Sequence, residues 1–216
     1  MPTKKAQASG GGRRRPATTN RAANQRADAQ RNRAKILAAT VTAIRKNPDA
    51  SVADIAAEAG VGRVTLYGHF QTRAELIEAA LVDSLERAED VLSQIPLDGD
   101  PSAAFQRLVA SSWMFVDQSR ALLATAQKEL SAARIRELHE KAEARMRGLL
   151  LRGQREGAFR ADLPVSWLLT TTHVVLNGAA EEVRTGRIGP DDAPWFIEAI
   201  LLPAFTAATT TEEGGR

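Results

Sequence analysis

Apolar residues first recur at helical spacing near Arg31. Ile36, Leu37, Thr40, Val41 and Ile44 make one stripe along a predicted helix. Asn47-Pro48-Asp49 ends it, because proline has no amide hydrogen to donate and restricts the residue before it. Ser51 then reads as an N-cap, with Asp54 placed to favour the positive helix end. Val52, Ile55, Ala56 and Ala59 give a short second helix its buried face, and Gly60-Val61-Gly62 breaks it. A third short helix carries Leu66 and Phe70 four apart on one face. Thr72 and Glu75 predict a capping box, and the fourth helix runs through Leu76, Ile77, Ala80, Leu81 and Leu85 to about Leu92.

Pro96 to Pro101 interrupts the pattern. Beyond it the periodicity predicts helices near 101–117, 120–131, 133–156, 163–185 and 191–208, with Asp162 and Asp191 as N-caps of the last two. No segment reads as a strand and no repeat of fixed period appears. The expectation is an all-α chain of about nine helices. Residues 30–74 form a three-helix unit, a linking helix reaches about 92, and residues 93–210 form a larger helical domain. Residues 1–29 hold almost no large apolar side chain, so they read as a flexible basic arm with its densest charge at Arg13, Arg14 and Arg15.

Charge sharpens this division. Residues 1–73 hold 14 Lys or Arg against 4 Asp or Glu, a balance of +10; the rest holds 15 against 22, a balance of −7. A basic front on an acidic body points to one half that meets a polyanion, and charge alone fits a nucleic acid or an acidic membrane surface equally. At 44% hydrophobic and 25% charged residues the composition is that of an ordinary soluble chain. No apolar run reaches transmembrane length and none follows the basic start, so a cytoplasmic protein without a signal peptide is expected. With no cysteine, disulfide and thiolate chemistry are excluded.

Residues 51–70 place two short helices around a glycine-containing turn, the spacing of a helix-turn-helix. Such a unit lays its second helix in the major groove of DNA. Leu66 and Phe70 suit the rear of that helix, while Arg63, Val64, Thr65, Tyr67 and His69 suit its front or margins. Arg63 fits a guanine edge and the Thr65 methyl a thymine. Tyr67, His69 and Arg73 suit phosphates. Ser51 and the amides near Thr72 lie at helix starts, where anions are favoured.

Val52-Ala53-Asp54-Ile55-Ala56-Ala57-Glu58-Ala59-Gly60-Val61, Thr65-Leu66-Tyr67-Gly68-His69-Phe70 and Arg73-Ala74-Glu75-Leu76 together resemble the signature of the tetracycline-repressor (TetR) family over roughly residues 31–85. Four positions depart from it. Gly62 stands where serine is common, Val64 where a small residue or proline is frequent, Arg73 where lysine is usual, and Ile44 where an aromatic is common. The resemblance implies a ligand-responsive dimeric repressor that binds a near-palindromic operator as a homodimer. It also implies a larger domain that binds a small-molecule effector and dimerises through its last two long helices. On that layout Leu168, Thr172, Val175, Ala179 and Val183 make one interface stripe, and Phe196 and Ile200, with Phe205 and Trp195, make the other.

Within the larger domain three features attract a ligand reading. Trp113 and Phe115 cluster with Met114; His139 and Met146 share an apolar stripe; His173 and Asn177 lie four apart near Trp167. Each fits plain core or interface as well. His69, His139 and His173 show no metal-ligand spacing, so no metal and no cofactor is expected. No glycine-rich phosphate loop, nucleophile elbow or paired-carboxylate motif argues for an enzyme.

Overall fold

A computed structural model describes residues 17–206, and they fold as eight α-helices joined by short turns. The helices are α1 (Ala17–Lys46), α2 (Val52–Glu58), α3 (Arg63–His69), α4 (Arg73–Leu92), α5 (Pro101–Glu129), α6 (Ala132–Arg155), α7 (Val165–Arg184) and α8 (Ala193–Phe205). Among the described residues the one strand-like feature is an isolated bridge between Phe159 and Thr206. No described helix is long and apolar enough to cross a membrane.

Local chemistry sets most boundaries. Asp100 caps α5 by accepting from the Ala103 amide at 2.8 Å, and Pro101 takes the first helical turn, where its missing amide hydrogen costs nothing. Ser131 caps α6 in the same way through the Arg134 amide at 3.2 Å. Asp162 does not cap α7. Its carboxylate pairs with Arg160 at 2.6 Å, and the helix starts after Pro164.

Two expectations about helix extent change. α1 begins at Ala17, inside the stretch read as a flexible arm. That segment lacks an apolar face but is rich in alanine, which favours helix even without burial. Arg13, Arg14 and Arg15 lie outside the described residues. The helices expected at 101–117 and 120–131 are one continuous helix, α5. The polar run Asp117-Gln118-Ser119-Arg120 resembles a break but contains neither Gly nor Pro.

That continuity organises the core. The N-terminal end of α5 gives Phe105, Leu108 and Val109 to an apolar cluster with α6, α7 and α8. Its C-terminal end gives Leu122 and Ala126 to a second cluster with Ile36, Ile55, Leu66 and Leu76 of α1–α4. In the first cluster the Phe105 ring meets Phe159 and Phe205 edge-on, with centroids 5.9 and 5.6 Å away. Gly153 makes room for this, since a Cβ there would stand 2.0 Å from the Phe159 ring.

Candidate nucleic-acid interface

The α2–α3 unit is built from its caps outward. Ser51 and Asp54 form a reciprocal capping box: the Asp54 amide donates to the Ser51 hydroxyl at 3.2 Å, and the Ser51 amide donates to the Asp54 carboxylate at 2.8 Å. The Ser51 side chain and backbone bonds hold the Asp54 pKa below the ordinary carboxylate range, and the Arg63 charge adds to this. After α2 the chain reverses at Gly60, whose φ of 66° is a left-handed value that glycine adopts freely. Gly62 caps α3 with no side-chain bond, so the hydroxyl that serine offers there is missing.

α3 is divided sharply by exposure. Leu66 is 1% exposed and Phe70, its C-cap, 2%. Burying each contributes about 1.5–3 kcal/mol, which fixes the rotation of this short helix. The opposite side presents Arg63, Val64, Thr65 and Tyr67 to solvent. Val64 is 88% exposed, the highest value among the exposed large apolar side chains described. The chain's own core makes no use of that side chain. His69 is half-buried at the helix end, and Arg33 of α1 lies 5.4 Å above the Phe70 ring.

The start of α4 differs from expectation in two details. Thr72 accepts from the Glu75 amide at 3.1 Å, but the Glu75 carboxylate reaches back to the Gln71 amide at 2.8 Å rather than to Thr72. A carboxylate therefore already occupies the favourable anion position at this helix end. Arg73 was expected to face phosphate. Instead its guanidinium donates to the Pro48 and Ala50 carbonyls, both at 3.3 Å, and pairs with Glu129 of α5. It ties the α1–α2 turn to α4 and α5.

Behind this unit, α4, α5, α6 and α7 line a partly open cavity of about 350 Å3. Phe115, His139, Met146, His173 and Asn177 line it. Two residues expected there do not: Trp113 is buried, with its indole donating to the Pro190 carbonyl at 3.1 Å, and Trp167 is exposed on α7. Thr172, expected at a partner interface, lines the cavity instead. His173 lies 3.7 Å from Glu143. Burial lowers its pKa from the ordinary histidine value, Glu143 partly opposes this, and His139 adds to it. Arg120 and Arg145 are cavity residues that periodicity did not single out. Their distances from one another along the chain left no local signal. Among the described residues no group of three His, Asp or Glu side chains is arranged to hold a metal.

The expected α7 interface stripe faces inward. Leu168 and Thr172 are each 1% exposed and Ala179 is buried, while Val175 and Val183 pack against the chain's own core. Periodicity finds an apolar stripe but does not tell the chain's own core from a partner's. The exposed apolar face consists of Trp167 and Val174 on α7 and Trp195, Phe196 and Ile200 on α8. Phe205 is buried.

The family model for bacterial regulatory proteins of the tetR family matches residues 36–80. A transcriptional repressor of Rhodococcus jostii, KstR2, is 28% identical over 137 residues, which cover 60% of this chain and 67% of the relative. The transcriptional regulator TtgR of Pseudomonas putida is 39% identical over 87 residues, covering 38% and 41%. Among solved structures, LfrR of Mycobacterium smegmatis in complex with proflavine superposes with a TM-score of 0.67 at 22% identity, over 80% of this chain and 94% of that one. The fatty acid degradation regulator FadR of Bacillus halodurans gives 0.65 at 21%, over 78% and 96%. At these identities the structural likeness establishes the fold.

Proposed function

We propose that this chain is a DNA-binding transcriptional regulator of the tetR family, the resemblance resting on its N-terminal helix-turn-helix, and that it is a homodimeric repressor, released from a near-palindromic operator by a small molecule in the α4–α7 cavity. The observation that carries the reading is α3 itself: a rear fixed by Leu66 and Phe70, and a front that exposes Arg63, Val64, Thr65 and Tyr67. Ser51 and Thr72, both exposed caps, flank it, and His69 lies at its margin.

Division of labour follows the packing. Residues 30–74 read DNA, α4 links, and the helices from 93 onward hold the effector and the partner. α4 serves both sides: Leu76 and Ile77 pack in the N-terminal core, while Leu81, Leu85 and Ala88 line the cavity. A ligand that favours one position of α4 shifts the paired recognition helices only as far as its affinity differs between the two states. The exposed face of α7 and α8, where Trp195 and Phe196 meet at 4.9 Å, supplies the apolar surface a second copy covers. The protein acts in the cytoplasm on its own genome, and no catalytic role is assigned to it.

Footprinting on the DNA upstream of its own coding region tests this. The expected result is a protected site with two-fold symmetry and half-sites about 34–36 Å apart. A single unsymmetrical contact, or protection spread evenly over the fragment, contradicts it.

A further inference from the structure

The cavity has an apolar wall and a charged rim whose charges do not cancel. α4 contributes Leu81, Leu85 and Ala88 to the wall, and α5 contributes Phe115, Val116 and Leu123. That wall favours an apolar body. Arg120, Arg136, Glu143 and Arg145 line the rest. Two of these are closed one for one: Arg145 pairs with Glu89, and Glu143 with Arg147 at 3.3 Å. His173, also beside Glu143, is held toward its uncharged form by burial. The other two are left in excess. Arg136 is exposed and has no ion-pair partner among the described residues; its neighbour Glu137 pairs with Arg134 at 2.7 Å. Arg120 lies 3.2 Å from Glu181, but Arg184 already donates to both oxygens of that carboxylate. One carboxylate therefore serves two guanidiniums.

The two excess cations stand at the same end of the cavity. α6 and α7 are consecutive, packed together and joined by a short connection, so they run antiparallel. His173 lies 3.7 Å from Glu143, which sets their register. From Glu143 back to Arg136 along α6 is about 10.5 Å, and from His173 forward to Glu181 along α7 is about 12 Å, at 1.5 Å per residue. Arg136 and the carboxylate that holds Arg120 thus reach the same level. Arg136, His139, Glu143 and Met146 recur at helical spacing on one face of α6, and all four line the cavity.

We propose that this cavity takes an amphipathic carboxylate, with its apolar body against the α4–α5 wall and its anionic head at Arg136 and Arg120. The proposal rests on the reading of the cavity as the effector site. A guanidinium fork matches a carboxylate bidentately. Arg136 meets the head without giving up a partner, and Arg120 gives up only a shared one. The Glu143 end offers the head no free cation, so the ligand enters in one orientation.

The test is a matched series titrated calorimetrically into the full chain. 4-Phenylbenzoate, 4-phenylbenzamide and 4-phenylbenzylammonium share one apolar body and carry an anionic, a neutral and a cationic head. The acid is expected to bind about tenfold tighter than the amide, through a charge-assisted pair. The cation is expected to bind most weakly. Added salt is expected to narrow the gap between acid and amide, because the rim is exposed. Arg136→Gln breaks no contact within the fold. It is expected to cut the acid's advantage to about threefold or less and to leave the amide unchanged. Arg155→Gln removes an exposed charge from the same helix outside the cavity, and is expected to leave the advantage intact. Equal affinity of acid and amide, tightest binding of the cation, an advantage undiminished in Arg136→Gln, or no binding by a folded chain overturns the proposal. So does an equal loss in Arg155→Gln, which would show attraction to the helix as a whole. The wild-type series decides this even where a variant does not fold. Operator binding without ligand is measured in parallel. If it persists while the series fails, only the ligand chemistry falls. If it is absent while the series succeeds, the regulator reading falls.

Discussion

Arg63 and Arg73 carry the same charge and meet opposite fates. Arg63 is exposed at the first turn of α3, with Asp54 contributing the nearby negative charge. Arg73 is half-buried and spends its guanidinium on the Pro48 and Ala50 carbonyls and on Glu129. Arg63→Ala is expected to weaken operator binding by about 1–3 kcal/mol, roughly ten- to a hundredfold, and to leave the melting temperature unchanged. Arg73→Ala is expected to lower the unfolding free energy by about 1–3 kcal/mol, because it leaves polar partners unpaired, with the salt dependence of DNA binding unchanged. Anisotropy titrations and urea unfolding of both variants separate the two roles. The sequence marks both arginines as candidates for DNA. It does not show that Arg73 is consumed inside the fold, because its partners lie 23 and 25 residues upstream or on another helix.

At the scale of elements, the caps of α2 and α4 were legible, while those of α7 and α8 were not: Asp162 pairs with Arg160, and Asp192 rather than Asp191 precedes α8. Ser51, Thr72 and Asp54 act where local pattern places them, since capping depends on neighbours within four residues. Faces were less legible. α7 carries two apolar stripes, and only packing decides that Leu168, Thr172 and Ala179 turn inward while Trp167 and Val174 turn out. The same helix holds His173, whose pKa is lowered by burial against the cavity, with Glu143 opposing and His139 reinforcing. The unfolded chain takes a proton near the ordinary value of about 6.5, while the folded chain resists until lower pH. The unfolded state then binds more protons, so stability falls as pH drops through about 6.5. Urea midpoints at pH 7.5 and 5.5 should show this loss, and His173→Gln should reduce it. An unchanged pH dependence in the variant contradicts the role given to His173.

At the scale of the whole molecule, α5 joins what the sequence pattern divides. Its two ends enter both apolar clusters, so the break in periodicity at Pro96 to Pro101 is a turn in the chain rather than a gap in packing. The basic front was visible in composition alone. The cavity was not, because an empty space depends on which side chains fail to meet, a property no local pattern records. The exposed α7 and α8 face gives the pairing prediction: Ile200, 60% exposed, becomes buried between copies. Ile200→Asp is expected to shift the protein from dimer to monomer in sedimentation and to weaken operator binding by tenfold or more, since each half-site is then bound alone.

The proposed role of α3 is to read a sequence rather than merely to meet a polyanion. Competition binding measures this directly, with the fragment upstream of the coding region against unrelated DNA of equal length at rising salt. The upstream fragment is expected to be preferred by roughly a thousandfold or more, and the preference to survive at salt concentrations that abolish binding to the unrelated DNA. Equal affinities with equal salt slopes would contradict it.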